Sequence, residues 1–172
     1  GSTAVGDGGN ITISTPILDV LNGARLTVST LGQGHAGGIV IEADDSITFD
    51  NSAALSTVET GAVGEGGSIT ISTSTLDVLN GAQLLANTRG QGNAGSIVIE
   101  ASDRVTFDGT SDNGLFISAA GSTVEAGAVG RGGSITISTS TLDVLNGAQL
   151  LANTRGQGNA GSIVIEADER IA

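Results

Sequence analysis

Residues 66–101 and 132–167 are the same 36 letters, GGSITISTSTLDVLNGAQLLANTRGQGNAGSIVIEA, and residues 9–43 are a diverged copy of that block. Repetition on this scale constrains the architecture more than any local propensity, because each copy must meet its neighbours in the same way. The copies are offset by 58 residues from Ile11 to Ile69 and by 66 from Ile69 to Ile135, the extra eight falling in one insertion at about 109–117.

A shorter period lies inside the long one. The element G-x-I-x-I recurs at Ile11, Ile39, Ile69, Ile97, Ile135 and Ile163, at spacings of 28, 30, 28, 38 and 28 residues. Turns therefore begin near residues 9, 37, 66, 94, 132 and 160 of a single domain spanning 1–172. Within one turn three short strands are expected, at 68–72 (SITIS), 76–80 (LDVLN) and 82–88 (AQLLANT). Each alternates with period two or is rich in β-branched residues, and Asn-Gly or Gly-rich stretches separate them, with no helical signal. The fold class expected is all-β: a right-handed parallel β-helix of five to six turns, each of about 29 residues. At about 4.8 Å per turn the rod would be roughly 26 Å long.

Superposing the turns gives columns. The isoleucines at 11, 39, 69, 97, 135 and 163, and those two positions on, point inward. Val20, Phe49, Val78, Phe107 and Val144 form a third interior column, small alternating with large. Two outward columns alternate charged with neutral: Ser14, Glu42, Ser72, Glu100, Ser138, Glu166, and Asp19, Thr48, Asp77, Thr106, Asp143. A hydroxyl residue between carboxylates doubles their separation to about 8–10 Å, near the Debye length. Asn22, Asn51, Asn80 and Asn146 mark one corner, either as a hydrogen-bonded side-chain ladder or as residues that tolerate a left-handed turn.

Composition excludes several chemistries. There is no Cys, so no disulfide, thiolate metal site or cysteine nucleophile, and the only histidine is His35, expected as a solvated turn residue. A net charge of −12 argues against nucleic acid and anionic membranes as partners, and no apolar run suits membrane insertion. The first 30 residues lack a secretory signal pattern. Regularly placed Ile, Val, Leu and Ala, with a mean hydropathy of +0.22, argue against disorder. With 2% aromatics the interior must be narrow and aliphatic.

Few motifs point to chemistry. G-x-G-x-x-G occurs at 32–37, 90–95 and 156–161, but a strand rather than a helix follows it, so it reads as a turn and not a nucleotide site. Asp108 and Asp112, with Thr110 and Asn113, are the calcium candidates, although the glycine and glutamate of a calcium loop are missing. Asp44, Asp45, Asp103, Asp168 and Glu169 follow the IVIEA strand; without lysine or an aromatic platform they read as solubilising acids rather than a sugar-cleaving pair. Thr12, Thr70 and Thr136 beside serines suggest an ice-binding array, which Val40, Val98 and the glutamates interrupt. Asn10-Ile11-Thr12 is a formal glycosylation sequon whose Ile11 begins a ladder. No catalytic residue and no cofactor is expected. Leu115 and Phe116, in the one segment that breaks the period, are the candidate contact residues.

Turns written G-G-x-I-T-I, A-G-x-I-x-I-E-A and L-x-V-L-N-G-A-x-L, followed by G-x-G-x-A-G, resemble the repeats of filamentous-haemagglutinin-like exoproteins of the two-partner secretion type, especially the cyanobacterial ones. The resemblance covers the whole chain and implies a right-handed β-helix, export, and an extracellular or cell-surface location. The function expected is a non-catalytic structural segment of a secreted or cell-surface filamentous adhesin or fibre. The alternative is a β-helical carbohydrate-binding or polysaccharide-cleaving module that uses the 109–117 insertion. The expected partners are other copies stacked end to end and a surface glycan or cell-surface protein.

Overall fold

The computed structural model describes residues 4–172. Its elements are β1 (Ile11–Leu21), β2 (Arg25–Thr27), β3 (Ile39–Asp50), β4 (Ala53–Leu55), β5 (Ile69–Leu79), β6 (Gln83–Leu85), β7 (Ile97–Asp108), β8 (Ala119–Gly121), β9 (Ile135–Leu145), β10 (Gln149–Leu151) and β11 (Ile163–Ile171). No helix occurs among the described residues. The long strands form one six-stranded parallel sheet, β1-β3-β5-β7-β9-β11, and the short ones a second sheet in the order β2-β4-β6-β8-β10. A third face is held by single parallel bridges, Thr30 to Val58 to Thr88 to Val124 to Thr154, and Val5 to Gln33 to Val63 to Gln91 to Val129 to Gln157. The molecule is a parallel β-solenoid of six windings, each paired only with its neighbours in the stack.

The column registers are those the repeats imply: Ile11, Ile39, Ile69, Ile97, Ile135 and Ile163 lie in one ladder. The windings are of two kinds. Those containing β1, β5 and β9 carry Ser14, Ser72 and Ser138 in one outward column, where β3, β7 and β11 carry Glu42, Glu100 and Glu166. They are called Ser and Glu windings below.

The division into strands differs from the expected three per turn. The segments expected at 68–72 and 76–80 are one continuous strand, Ile69–Leu79, with a break in register between Thr73 and Thr75. The cause is a one-residue mismatch: β1, β5 and β9 have 11 residues, whereas β3 and β7 have 12. The surplus residue bulges at Asp44–Asp45 and Ser102–Asp103, and bulges bend a strand without ending it. Ser74 and Ser140 fasten the bulges by donating from Oγ to the carbonyls of Asp44 (2.8 Å) and Ser102 (2.9 Å). The third expected strand, 82–88, is cut to Gln83–Leu85 plus a lone bridge at Thr88.

Large and small side chains compensate for each other across the interior from winding to winding. Ser windings carry Val20, Val78 and Val144 on the long strand, with Leu26, Leu84 and Leu150 on the short one; Glu windings carry Phe49 and Phe107 with Ala54 and Ala120. Seven of these belong to one buried core cluster, and Leu26, Val144 and Leu150, partly buried, pack against it. Val with Leu and Phe with Ala are two ways to fill a similar cross-section, which close packing demands.

Two columns of glycine run the length of the stack. A Cβ placed on Gly64, Gly92, Gly130 or Gly158 would collide with the carbonyl oxygen of the glycine one winding before it, in the series Gly34, Gly64, Gly92, Gly130. Gly67, Gly95, Gly133 and Gly161 meet Gly37, Gly67, Gly95 and Gly133 in the same way. The G-x-G-x-x-G motif is thus neither a phosphate cradle nor a plain turn. Its second and third glycines are where backbone lies against backbone, with no room for a side chain.

Candidate functional site

The outward columns contain more pairing than their charge alternation suggests. Arg104 donates from Nη2 to both carboxylate oxygens of Asp77 (3.2 and 3.3 Å), and Arg170 reaches Asp143 at 2.6 Å. On another corner Glu59, Arg89, Glu125 and Arg155 stand in consecutive windings, with Arg89–Glu59 at 3.2 Å and Arg155–Glu125 at 3.6 Å. The sequence reading missed these pairs; the signal was an arginine 27 or 30 residues after each acid. All four are exposed enough for solvent screening, so each is worth at most about 1 kcal/mol.

His35 is exposed, as expected, but it is not merely solvated. It belongs to a chain of acceptors in which each side chain takes an amide from the next winding. Asp7 Oδ1 accepts from His35 N (2.7 Å), His35 Nδ1 from Glu65 N (3.0 Å), Glu65 Oε2 from Asn93 N (3.2 Å), and Asn93 Oδ1 from Arg131 N (2.8 Å). Acceptance at Nδ1 places the imidazole proton on Nε2.

The corner asparagines Asn22, Asn51, Asn80 and Asn146 have φ between 46° and 56°, so the left-handed turn accounts for them. Their amides do not form a ladder with each other. Asn80 and Asn146 instead donate to Asp50 (2.9 Å) and Asp108 (2.6 Å).

The 109–117 insertion leaves the stack at Gly109 (φ 75°) and returns through an antiparallel bridge between Thr110 and Ile117. Ser111 N donates to the Phe116 carbonyl (2.9 Å), Phe116 N to Ser111 Oγ (3.0 Å), and Leu115 N to Asn113 Oδ1 (3.0 Å). Ser118 anchors the base, donating from Oγ to the Asp108 carbonyl (2.6 Å) and accepting from Gly81 N (3.0 Å). The tip presents Leu115, 74% exposed, and Phe116, 43% exposed. Phe116 borders a shallow cleft of about 190 Å³, with Arg25, Asn51, Ser52, Gly81 and Gln83 among its other lining residues. Ser52, itself buried, ends in a hydroxyl with no hydrogen-bond partner.

The calcium candidates are not brought together as a site. Asp108 accepts from Asn146, while Asp112 lines a separate polar hollow with Asn22, Asp50, Asn51 and Asn80. No group of three or more His, Asp or Glu side chains among the described residues is arranged to hold a metal ion. Asp44, Asp45, Asp103, Asp168 and Glu169 sit exposed at the bulges. Thr12, Thr70 and Thr136 alternate in register with Val40 and Val98, so no continuous hydroxyl face forms.

No family model, curated protein or solved structure matches the chain.

Proposed function

We propose that the chain is a non-catalytic structural segment of a long secreted or cell-surface fibre, serving as a rigid shaft or as part of a self-associating filament. The observation that carries this reading is the unbroken stacking. The aliphatic columns and both glycine columns run through all six windings, so the molecule sets a length and a direction rather than enclosing a ligand. The resemblance of the turns to filamentous-haemagglutinin-like repeats supports a place outside the cell. So does a composition without Cys or Met, the residues most readily oxidised.

A length-setting role is tested by removing residues 66–131, which joins Glu65 directly to the second of the two identical blocks. The shortened chain should keep its β-rich circular dichroism, and X-ray scattering should show it shorter by two winding spacings, about 10 Å. Loss of folding would overturn the interchangeability of the windings on which the reading depends.

A second reading has the Phe116 cleft in its favour, where an aromatic edge, Arg25 and Gln83 surround an open hollow of the kind that holds a sugar ring. A glycan array and a reducing-sugar assay on the chain separate the two. Binding or cleavage that vanishes when residues 110–117 are deleted would establish the carbohydrate module and overturn the shaft.

A further inference from the structure

Asparagine followed by glycine occurs four times, at 22–23, 80–81, 113–114 and 146–147. Glycine has no Cβ to shield its backbone nitrogen, so that nitrogen can reach the Cγ of the preceding asparagine and close a five-membered imide ring. The fold treats the pairs differently. Three stand at the left-handed corner of Ser windings, and the fourth lies in the hairpin that leaves the stack at Gly109.

The corner pair at 80–81 has windings of this chain on both sides. Asn80 N donates to the Asp108 carbonyl (3.0 Å), and its side-chain Nδ2 donates to Asp50 (2.9 Å). Gly81 N donates to Oγ of the fully buried Ser118 (3.0 Å). The hairpin rests on this glycine, where an added Cβ would lie 2.7 Å from Ser111 N. Ring closure at Asn80 must turn its Cα–C bond and move Gly81, which would break these bonds and lift the hairpin. At the tip, Asn113 and Gly114 are exposed. Asn113 Oδ1 accepts from Leu115 N (3.0 Å) and Ser111 Oγ (2.8 Å), two donors on the oxygen that gains negative charge when Cγ is attacked. Gly114 N is held by one bond, to the Ser111 carbonyl (2.7 Å), so fraying of the tip is enough to free it. None of these contacts involves the first or the last winding.

We propose that Asn113 is a self-modification site, at which the folded chain deamidates with water as the only co-reactant. Gly114 N gives its proton to a solvent base as it bonds to Cγ, and Nδ2 takes a proton from water and leaves as ammonia. Water then opens the imide at either carbonyl. The product at position 113 is an aspartyl residue, or an isoaspartyl one whose main chain runs through the side-chain carbon. Either adds a negative charge beside Leu115 and Phe116, the exposed apolar pair of the tip. The isoaspartyl form also lengthens the hairpin backbone by one atom. A contact made through the tip would weaken as the protein ages, while the stack itself keeps its bonds. The inference is independent of both readings of function.

The test holds the folded chain at mildly alkaline pH and then cuts it with trypsin. The chain has no lysine, so cleavage after Arg104 and Arg131 releases residues 105–131, in which Asn113 is the only asparagine. Cleavage after Arg25 and Arg89 releases residues 26–89, which contain Asn80. Mass spectrometry reads the mass gain of deamidation, and fragmentation places it. In the folded chain Asn113 should convert at least about tenfold faster than Asn80, because opening the corner costs more of the global stability than fraying a tip. In urea the two rates should converge, and Asn113→Gln should abolish the gain in residues 105–131. An Asn113 that stays intact in the folded chain, equal rates at the two positions there, or the same ratio persisting in urea would each overturn the proposal.

Discussion

Gly95→Ala tests the backbone-on-backbone packing most directly. Gly95 has no left-handed φ, so alanine there is acceptable to the local chain. The obstacle is the neighbouring winding: the new Cβ would overlap the Gly67 carbonyl oxygen and lie 2.6 Å from its carbon, where ordinary contact begins at 3.4 Å. The obstructing atoms are backbone and have no rotamer to change, so the windings must part locally by more than the roughly 0.8 Å that the carbon alone requires. That stretches the flanking bonds from Gly66 N to Asn93 O (2.8 Å) and from Ile69 N to Ser96 O (2.9 Å) beyond hydrogen-bonding range. Two backbone bonds at about 1 kcal/mol each, added to overpacking of about 1–3, give a loss of about 3–5 kcal/mol. The control is Gly147→Ala, where φ is +85° but nothing lies within 4 Å of the added atom, so only the left-handed penalty of about 1–2 kcal/mol applies. Alanine restricts the unfolded chain equally in both, so the difference isolates the collision. The chain has no Trp or Tyr, so urea unfolding is followed by far-ultraviolet circular dichroism, with hydrogen exchange at residues 93–99 as the local readout. If Gly95→Ala proved as stable as Gly147→Ala, the glycine columns would not be steric in origin.

Phe107→Val should cost about 2–3 kcal/mol by thermal unfolding, and adding Ala120→Leu should recover about 1 kcal/mol by recreating the Val78 and Leu84 pairing; additive losses would refute the shared cross-section. Asn80→Gly should be nearly neutral and Asn80→Val should cost about 1–2 kcal/mol in urea, because φ is 53°; equal effects would mean that the Asp50 contact matters instead. Arg104→Gln should change stability by less than about 1 kcal/mol, the difference fading at high salt, since Arg104 and Asp77 are 48% and 27% exposed; a larger, salt-independent loss would contradict surface screening.

What the sequence made legible was whatever recurs once per winding. Ile69 and Ile97 could be placed in one ladder because identical letters in successive windings leave a single register that keeps every isoleucine inside. What stayed hidden depended on a difference between windings. The extra residue at Ser102–Asp103 turned two expected strands into one bent strand, and nothing in the letters says whether one surplus residue ends a strand or bulges from it. Arg104 with Asp77, and the amide acceptors from Asp7 to Asn93, connect unlike residues in adjacent windings, so a search for columns of like residues passes over them. The glycines of G-x-G-x-x-G looked local because the motif is local, whereas their reason lies one winding away. Leu115 and Phe116 were found by the same logic reversed, as the place where the period fails, and the structure leaves both at the surface.

The hydrogen bonds between windings point along the long axis of the stack. Tension applied to the two ends of the chain therefore loads the outermost ladder alone, and the molecule should extend like tape drawn from a roll rather than snap as one body. Each step would free the 28 or 30 residues between successive ladder isoleucines, about 100 Å of slack, and the winding that bears the hairpin would free 38. Such a strand would absorb a pull in small recoverable instalments.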